Sequence, residues 1–84
     1  MKRPRPKRSQ PLPRPLEIPG VMDLATLADV RALLGHLSEV TRARDTWQHV
    51  EAELKKAEAT GDTMQVSIVL RMVLQLEKVD YRLK

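Results

Sequence analysis

The chain has 84 residues, with 15 Lys or Arg against 11 Asp or Glu, and it contains no Cys. The lack of Cys excludes disulfides, thiolate catalysis and cysteine-ligated zinc, and no apolar run approaches the length of a membrane span. A chain this small buries only about 60% of its unfolded surface, so we expect self-association to supplement its core. These limits predict a soluble, cytoplasmic, single-domain protein that forms a homo-oligomer.

The net positive charge is concentrated at the N-terminus. Up to residue 20, six basic residues face one acidic residue, whereas residues 21–84 carry nine basic and ten acidic residues. We predict that the six N-terminal cations contact an anionic partner; they are Lys2, Arg3, Arg5, Lys7, Arg8 and Arg14. The rest of the chain is nearly neutral and offers no comparable attraction for a polyanion.

Proline dominates the same N-terminal segment. All six prolines lie within residues 1–20, where they remove amide donors and bias the preceding residues towards extended geometry. We therefore predict a disordered arm with polyproline II character over residues 1–20, ending in a turn at Pro19-Gly20. No two prolines are three positions apart, so an SH3-type P-x-x-P ligand is not predicted.

The hydrophobic pattern after the arm predicts an all-α fold, a small three-helix domain built on an antiparallel helical hairpin. The predicted helices cover about residues 24–37, 46–60 and 63–82, and residues 38–45 are predicted to form a loop. The connection at residues 60–62 is short, so we expect the second and third helices to be antiparallel neighbours.

Local signals indicate where these helices begin and end. The first helix begins at Thr26, with Asp29 three residues later as in a capping box, or else at Asp23. The second helix has Asp45 as its predicted N-cap and Gly61 as its predicted left-handed terminator.

The third predicted helix has a wide apolar surface. Apolar residues alternate from Val66 to Leu76 as in a strand, but the valines on the opposite face and a polar stripe at helical spacing favour a helix. One neighbouring helix cannot cover this surface, and either the first helix or a second copy of the chain covers the rest. We predict self-association through four residues of this helix, which are Val69, Met72, Val73 and Leu76.

No group of residues indicates catalysis. His36 and His49 are the candidates for acid–base or metal chemistry, and His49 has Glu53 one turn away, but two ligands at this spacing do not make a metal site. A small three-helix chain rarely encloses a pocket of about 300 Å³ or more. We therefore predict no enzyme activity, no cofactor, no metal and no small-molecule substrate.

These features together predict a non-enzymatic helical interaction module whose basic arm makes nonspecific contacts with an anionic partner. The arm has no aromatic residue to stack on bases, so its contact with nucleic acid would be electrostatic. The alternative is a nucleic-acid-binding accessory protein that uses the arm in this way. An acidic protein surface or anionic lipid is another candidate partner, and a solubilising tail without a partner also fits.

Three stretches, Pro13 to Met22, Thr46 to Val50 and Leu70 to Leu74, resemble segments of short uncharacterised bacterial proteins that begin with a basic, proline-rich segment. The resemblance implies a bacterial, cytosolic origin and no particular activity. The second and third helices are also similar to one helical pair of a tetratricopeptide unit, through Ala59, Gly61 and Asp62. One such pair is too short to form a solenoid.

Overall fold

The computed structural model of the chain describes residues 9–84. Its elements, in chain order, are β1 (Pro11–Ile18), β2 (Met22–Thr26), α1 (Leu27–His36), α2 (Glu39–Arg42), α3 (Asp45–Thr60), α4 (Met64–Leu76) and β3 (Arg82–Leu83). The strands form one antiparallel sheet in the order β2-β1-β3. The described part is therefore mixed α/β, with 57% helix and 20% strand, and the predicted all-α three-helix fold is wrong.

The strand β1 lies within the predicted disordered arm, so that prediction is wrong for residues 11–18. Leu12, Leu16 and Ile18 of this strand are at most 4% exposed, while its prolines are exposed. Most buried and exposed residues of β1 therefore alternate with the period of two that a pleated strand imposes. The segment that is predicted to be disordered therefore contributes three side chains to the core.

Proline is tolerated in β1 because the proline-rich half of this strand pairs with its neighbours at few positions. Few backbone amide donors are therefore needed there. β2 pairs with both ends of β1, with a register shift between Pro11 and Leu16, whereas β3 pairs with Leu16 and Glu17 alone. Proline occurs in sheets mainly at edges and bulges, where its missing amide hydrogen is not needed. On the β3 side, Pro15 O accepts a hydrogen bond from Lys84 N at 2.9 Å, a role that proline can fill.

The predicted turn at Pro19-Gly20 is confirmed and joins β1 to β2. Val21 N donates to Ile18 O at 3.0 Å across this turn. Gly20 has a φ of +77°, a left-handed conformation that glycine adopts without the steric cost of a side chain.

The first helix begins later than predicted because residues 22–26 belong to the sheet. Thr26 Oγ1 accepts from Asp29 N at 3.4 Å, and Asp29 Oδ2 accepts from Thr26 N at 3.1 Å. This reciprocal pair satisfies two amide groups at the start of α1. Of the two predicted starts, Thr26 is therefore confirmed, and Asp23, which lies in β2, is wrong.

The second predicted helix is present as α3, with small differences at its N-terminal end. Asp45 is the first residue of the helix and not its N-cap, which is Arg44. The predicted terminator is confirmed, since Gly61 has a φ of +83° and its amide donates to Ala57 O at 2.7 Å. The loop predicted over residues 38–45 contains the short helix α2.

The third predicted helix, α4, ends at Leu76 and does not reach residue 82. Lys78 takes a left-handed conformation with a φ of +58°, and Val79 N donates back to Leu74 O at 2.8 Å. This hydrogen bond is typical of a helix that terminates in a chain reversal. The residues that follow then reach β1 and form β3.

A hydrophobic cluster joins the sheet to the helices. It includes Leu16 and Leu24 from the sheet and Trp47, Leu54 and Leu70 from α3 and α4, all at most 2% exposed. α4 packs against both α3 and β1. The sheet therefore covers part of the α4 surface that the sequence assigned to the first helix or to a second copy.

Polar contacts connect parts of the chain that are distant in sequence. The Arg31 guanidinium in α1 pairs with the carboxylate of Glu58 in α3, a residue only 6% exposed. Near β3, Lys84 Nζ donates to Asp23 Oδ2 at 2.8 Å and Arg14 Nε donates to Lys84 O at 3.1 Å. The hydrogen bond to Asp23 raises the pKa of the Lys84 ammonium, because a carboxylate acceptor favours the charged form.

Replacing Gly35 by alanine is expected to raise the free energy of unfolding by about 0.5–1 kcal/mol. Gly35 lies within α1, and no atom lies within 4 Å of the position that a Cβ would take. Alanine restricts the unfolded chain and fits the helix, so the gain is mainly entropic. Urea unfolding measures the change. Gly20→Ala, at a positive φ, is the control and should destabilise; an equal loss at Gly35 would contradict the prediction.

Candidate interaction surface

The outward face of α4 carries a row of exposed apolar side chains. Met64, Ile68, Met72 and Leu76 follow one another at intervals of four residues and are 54%, 36%, 56% and 66% exposed. These four residues are called the α4 ridge below. Residues four positions apart form a continuous, slightly inclined row on a helix surface. Partly exposed apolar side chains therefore run along α4 from its first turn to its last.

The position of the ridge follows from the face that α4 buries. Val66, Leu70 and Leu74 are 0% exposed and pack in the core. Helical spacing places the α4 ridge on the side of the helix that faces away from them. A surface helix usually presents polar and charged side chains to water on that side, but α4 presents the ridge.

The charge distribution also separates α4 from its neighbour α3. Arg71 is the only charged residue of α4, whose first turn carries no acid and whose last turn carries no base. α3 carries ion pairs between Lys55 and Glu51 at 3.8 Å and between Lys56 and Glu53 at 3.5 Å. Pairs of this kind belong on a solvated helix face. The outward face of α4 lacks them and is therefore suited to contact an apolar surface.

Two of the four predicted self-association residues lie on the α4 ridge, and two do not. Met72 and Leu76 are exposed, whereas Val69 and Val73 are 9% and 3% exposed and belong to the core. The sequence prediction missed the first two residues of the ridge, although their four-residue spacing was visible. It missed them because the buried side of α4 depends on the position of the sheet.

The predicted anionic contact residues are mostly outside the described part of the chain, which includes only Arg14 among them; the others are Lys2, Arg3, Arg5, Lys7 and Arg8. Arg14 is exposed in β1 and donates to the backbone of Lys84. Arg82 Nε lies 3.6 Å from Glu17 Oε1, and Lys84 is hydrogen-bonded to an aspartate. The described cations around β1 therefore have polar partners within the chain.

Two clefts on the described surface have volumes below about 300 Å³, the lower limit typical of ligand sites. One has a volume of about 180 Å³ and is lined mainly by apolar side chains, with Trp47 and His36 among them. Another, of about 230 Å³, is lined mainly by polar residues of α3, α4 and the connection between them, with Glu53 and Asp62 among them. His49 Nε2 lies 3.8 Å from Glu53 Oε1. Among residues 9–84, no three His, Cys, Asp or Glu side chains are grouped so that they could hold a metal ion.

Comparison of the chain with models of protein families, with curated proteins and with solved structures finds no match. The resemblance to short bacterial proteins and to a tetratricopeptide pair therefore stays a prediction. None of the helices that the structure describes has the length and apolar character needed to cross a membrane. The functional interpretation thus depends on the geometry of the chain itself, and mainly on the α4 ridge.

Proposed function

We propose that the protein is a non-enzymatic protein-interaction module whose contact surface is the α4 ridge. The observation that carries this proposal is the exposure of four apolar side chains in one row, at 36% to 66%. Single exposed apolar residues are common on protein surfaces, whereas contiguous apolar patches mark interaction sites. A convex row on a helix fits between the side-chain rows of another helix or into an apolar groove.

The energy available from the ridge suits a weak or transient contact. Complete burial of a Leu, Ile or Met side chain contributes about 1.5–3 kcal/mol. Each ridge side chain is already partly buried, so its remaining exposed area would contribute about 1 kcal/mol in a complex. We expect Ile68 and Met72, in the middle of the row, to contribute most, because their neighbours exclude water from them.

The described clefts support an interaction role better than an enzymatic one. Their volumes of about 180 Å³ and 230 Å³ are below the range of about 300–1,000 Å³ that is typical of ligand sites. An interaction with another macromolecule uses a row such as the α4 ridge directly, whereas catalysis requires a cleft with convergent polar groups.

The nucleic-acid alternative depends on the basic residues near the N-terminus. Of these, Arg14 is already hydrogen-bonded to the Lys84 backbone, and the others lie outside the described residues. No described feature favours this alternative over an apolar contact, so it stays a prediction from the sequence.

A photo-crosslinking amino acid placed at Met72 is expected to form a covalent protein adduct when cells of the native host are irradiated. His49 on α3, whose side chain is 62% exposed, is the matched control position and should form none. Adding Met64→Glu should remove the adduct at position 72. This change interrupts the ridge but keeps the helix, because an acidic residue in the first turn complements the helix dipole. Equal labelling at both positions, or none at Met72, would argue against the proposal.

A further inference from the structure

The α4 ridge presents a similar series of apolar side chains whether it is followed from the N-terminal or from the C-terminal end of the helix. Its midpoint lies between Ile68 and Met72, with Met64 at one end of the row and Leu76 at the other. All four are apolar side chains of comparable size, and all are at least 36% exposed. A two-fold contact requires that one surface be complementary to itself. The ridge meets this requirement if two copies of α4 run in opposite directions.

The electrostatics of α4 favour that antiparallel arrangement. The helix has no acid in its first turn and no base in its last, and the Glu77 carboxylate just after its C-terminus is paired with Arg44 at 2.6 Å. At the N-terminal end of α4, Asp62 Oδ1 accepts from Met64 N at 3.0 Å. In an antiparallel pair, the positive end of each helix dipole lies near the negative end of the other. Arg71 lies beside the row, and its long side chain can extend to water.

We propose that the partner on the α4 ridge is a second copy of this chain, an inference that rests on the proposed function. The two α4 helices pack antiparallel across a two-fold axis that passes between Ile68 and Met72 of the ridge. Ile68 then contacts the partner's Met72, and Met64 contacts the partner's Leu76. Rows with four-residue spacing interdigitate when the helices cross at about −50°, and this is the crossing angle expected for the pair.

The size of the ridge indicates a weak dimer. One helix face from each chain buries no more than about 1,200 Å² in total, the lower end of the range for specific complexes. The loss of translational and rotational freedom offsets much of the gain from burial. We therefore expect a Kd between about 10 μM and about 1 mM. The protein should change from monomer to dimer over a range of concentrations that sedimentation equilibrium can follow.

Two single substitutions test the contact without disturbing the fold. Met64→Glu and Leu76→Lys each place the charge that complements the helix dipole at that end of α4, so circular dichroism and thermal melting should show an intact domain. Each change alters both symmetry-related contacts of the dimer, and each should weaken dimerisation about 10-fold or more. Ala52→Glu, at an exposed position on α3, is the matched control and should leave the Kd unchanged.

An equimolar mixture of Met64→Glu and Leu76→Lys chains tests the antiparallel direction. In the mixed dimer, one contact joins the introduced glutamate to the introduced lysine, and the other keeps both original apolar residues. Dimerisation should therefore recover to within about 3-fold of the unmodified protein. A parallel pair would place each new charge against an apolar residue, so a mixture as weak as the single variants would overturn the antiparallel contact.

Failure of this inference can be distinguished from failure of the proposed function. A chain that stays monomeric at about 1 mM would exclude the second copy as partner. The photo-crosslinking experiment at Met72 then shows whether the dimer alone fails or the interaction surface fails as well. An adduct with a different protein keeps the interaction surface but not the dimer, and no adduct overturns both. An adduct with twice the mass of the chain is expected only if sedimentation also shows the dimer.

Discussion

Replacement of Leu16 by alanine is expected to lower the free energy of unfolding by about 3 kcal/mol. Leu16 is 0% exposed in β1, where it pairs with Leu24 of β2 and Leu83 of β3. The shorter side chain loses apolar burial and leaves a cavity. A change of 1 kcal/mol shifts the Tm of a domain of this size by about 4–8 °C, so we expect the Tm to fall by about 12 °C or more. Urea and thermal unfolding, followed by the fluorescence of the buried Trp47, measure the loss.

Val21→Ala is the control for this prediction, because Val21 is 59% exposed in the β1–β2 turn. It should change the free energy of unfolding by less than about 0.5 kcal/mol. If Leu16→Ala were no more harmful than Val21→Ala, then β1 would not contribute to the core.

The burial of β1 also affects the design of experiments on the N-terminal arm. Deleting residues 1–16 would remove Leu12 and Leu16 and unfold the domain, so charge-neutralising substitutions are the appropriate test of anionic binding.

Replacement of Arg31 by methionine is expected to lower the free energy of unfolding by about 2 kcal/mol. The change takes a cationic partner away from Glu58, which is 6% exposed. Removing one member of a fully buried ion pair costs about 3–5 kcal/mol. The loss expected here is smaller, about 2 kcal/mol, because the Arg31 side chain is 35% exposed. Urea unfolding measures the loss.

Two comparisons identify the cause of that loss. Lys55→Met breaks a more exposed pair with Glu51 and should cost less than about 0.5 kcal/mol. The double variant Arg31→Met with Glu58→Leu should be more stable than the sum of the two single changes predicts, because it leaves no buried carboxylate. Additive effects in this cycle would show that the two side chains stabilise the fold independently.

About half of the candidate site could be predicted from the sequence. Met72 and Leu76 were predicted because apolar residues cover most of the circumference of the third helix, more than one neighbouring helix buries. Helical spacing alone does not identify which part of that circumference faces the core. Val69 and Val73 were therefore assigned to a surface, whereas both lie in the core. The ridge is the part of α4 that stays exposed because β1 and α3 pack against the other side of the helix.

The features that could be predicted from the sequence depend on residues that are close together along the chain. These are the Pro19-Gly20 turn and the end of α3 at Gly61, together with Thr26 as one of the two predicted starts of the first helix. Each depends on a local cause, such as a glycine at positive φ or a capping side chain. Such causes act in the same way whatever the rest of the chain does, and for that reason they could be predicted.

Three features depend on contacts between distant parts of the chain: residues 11–18 form a strand, α4 ends at Leu76 and the α4 ridge stays exposed. The proline content of the segment favours an extended, unpaired chain when it is considered locally. Burial of Leu12, Leu16 and Ile18 against the helices, together with pairing to β2 and β3, outweighs that preference. These contacts join residues that are distant in sequence, and strand formation depends on such contacts more than on local propensity.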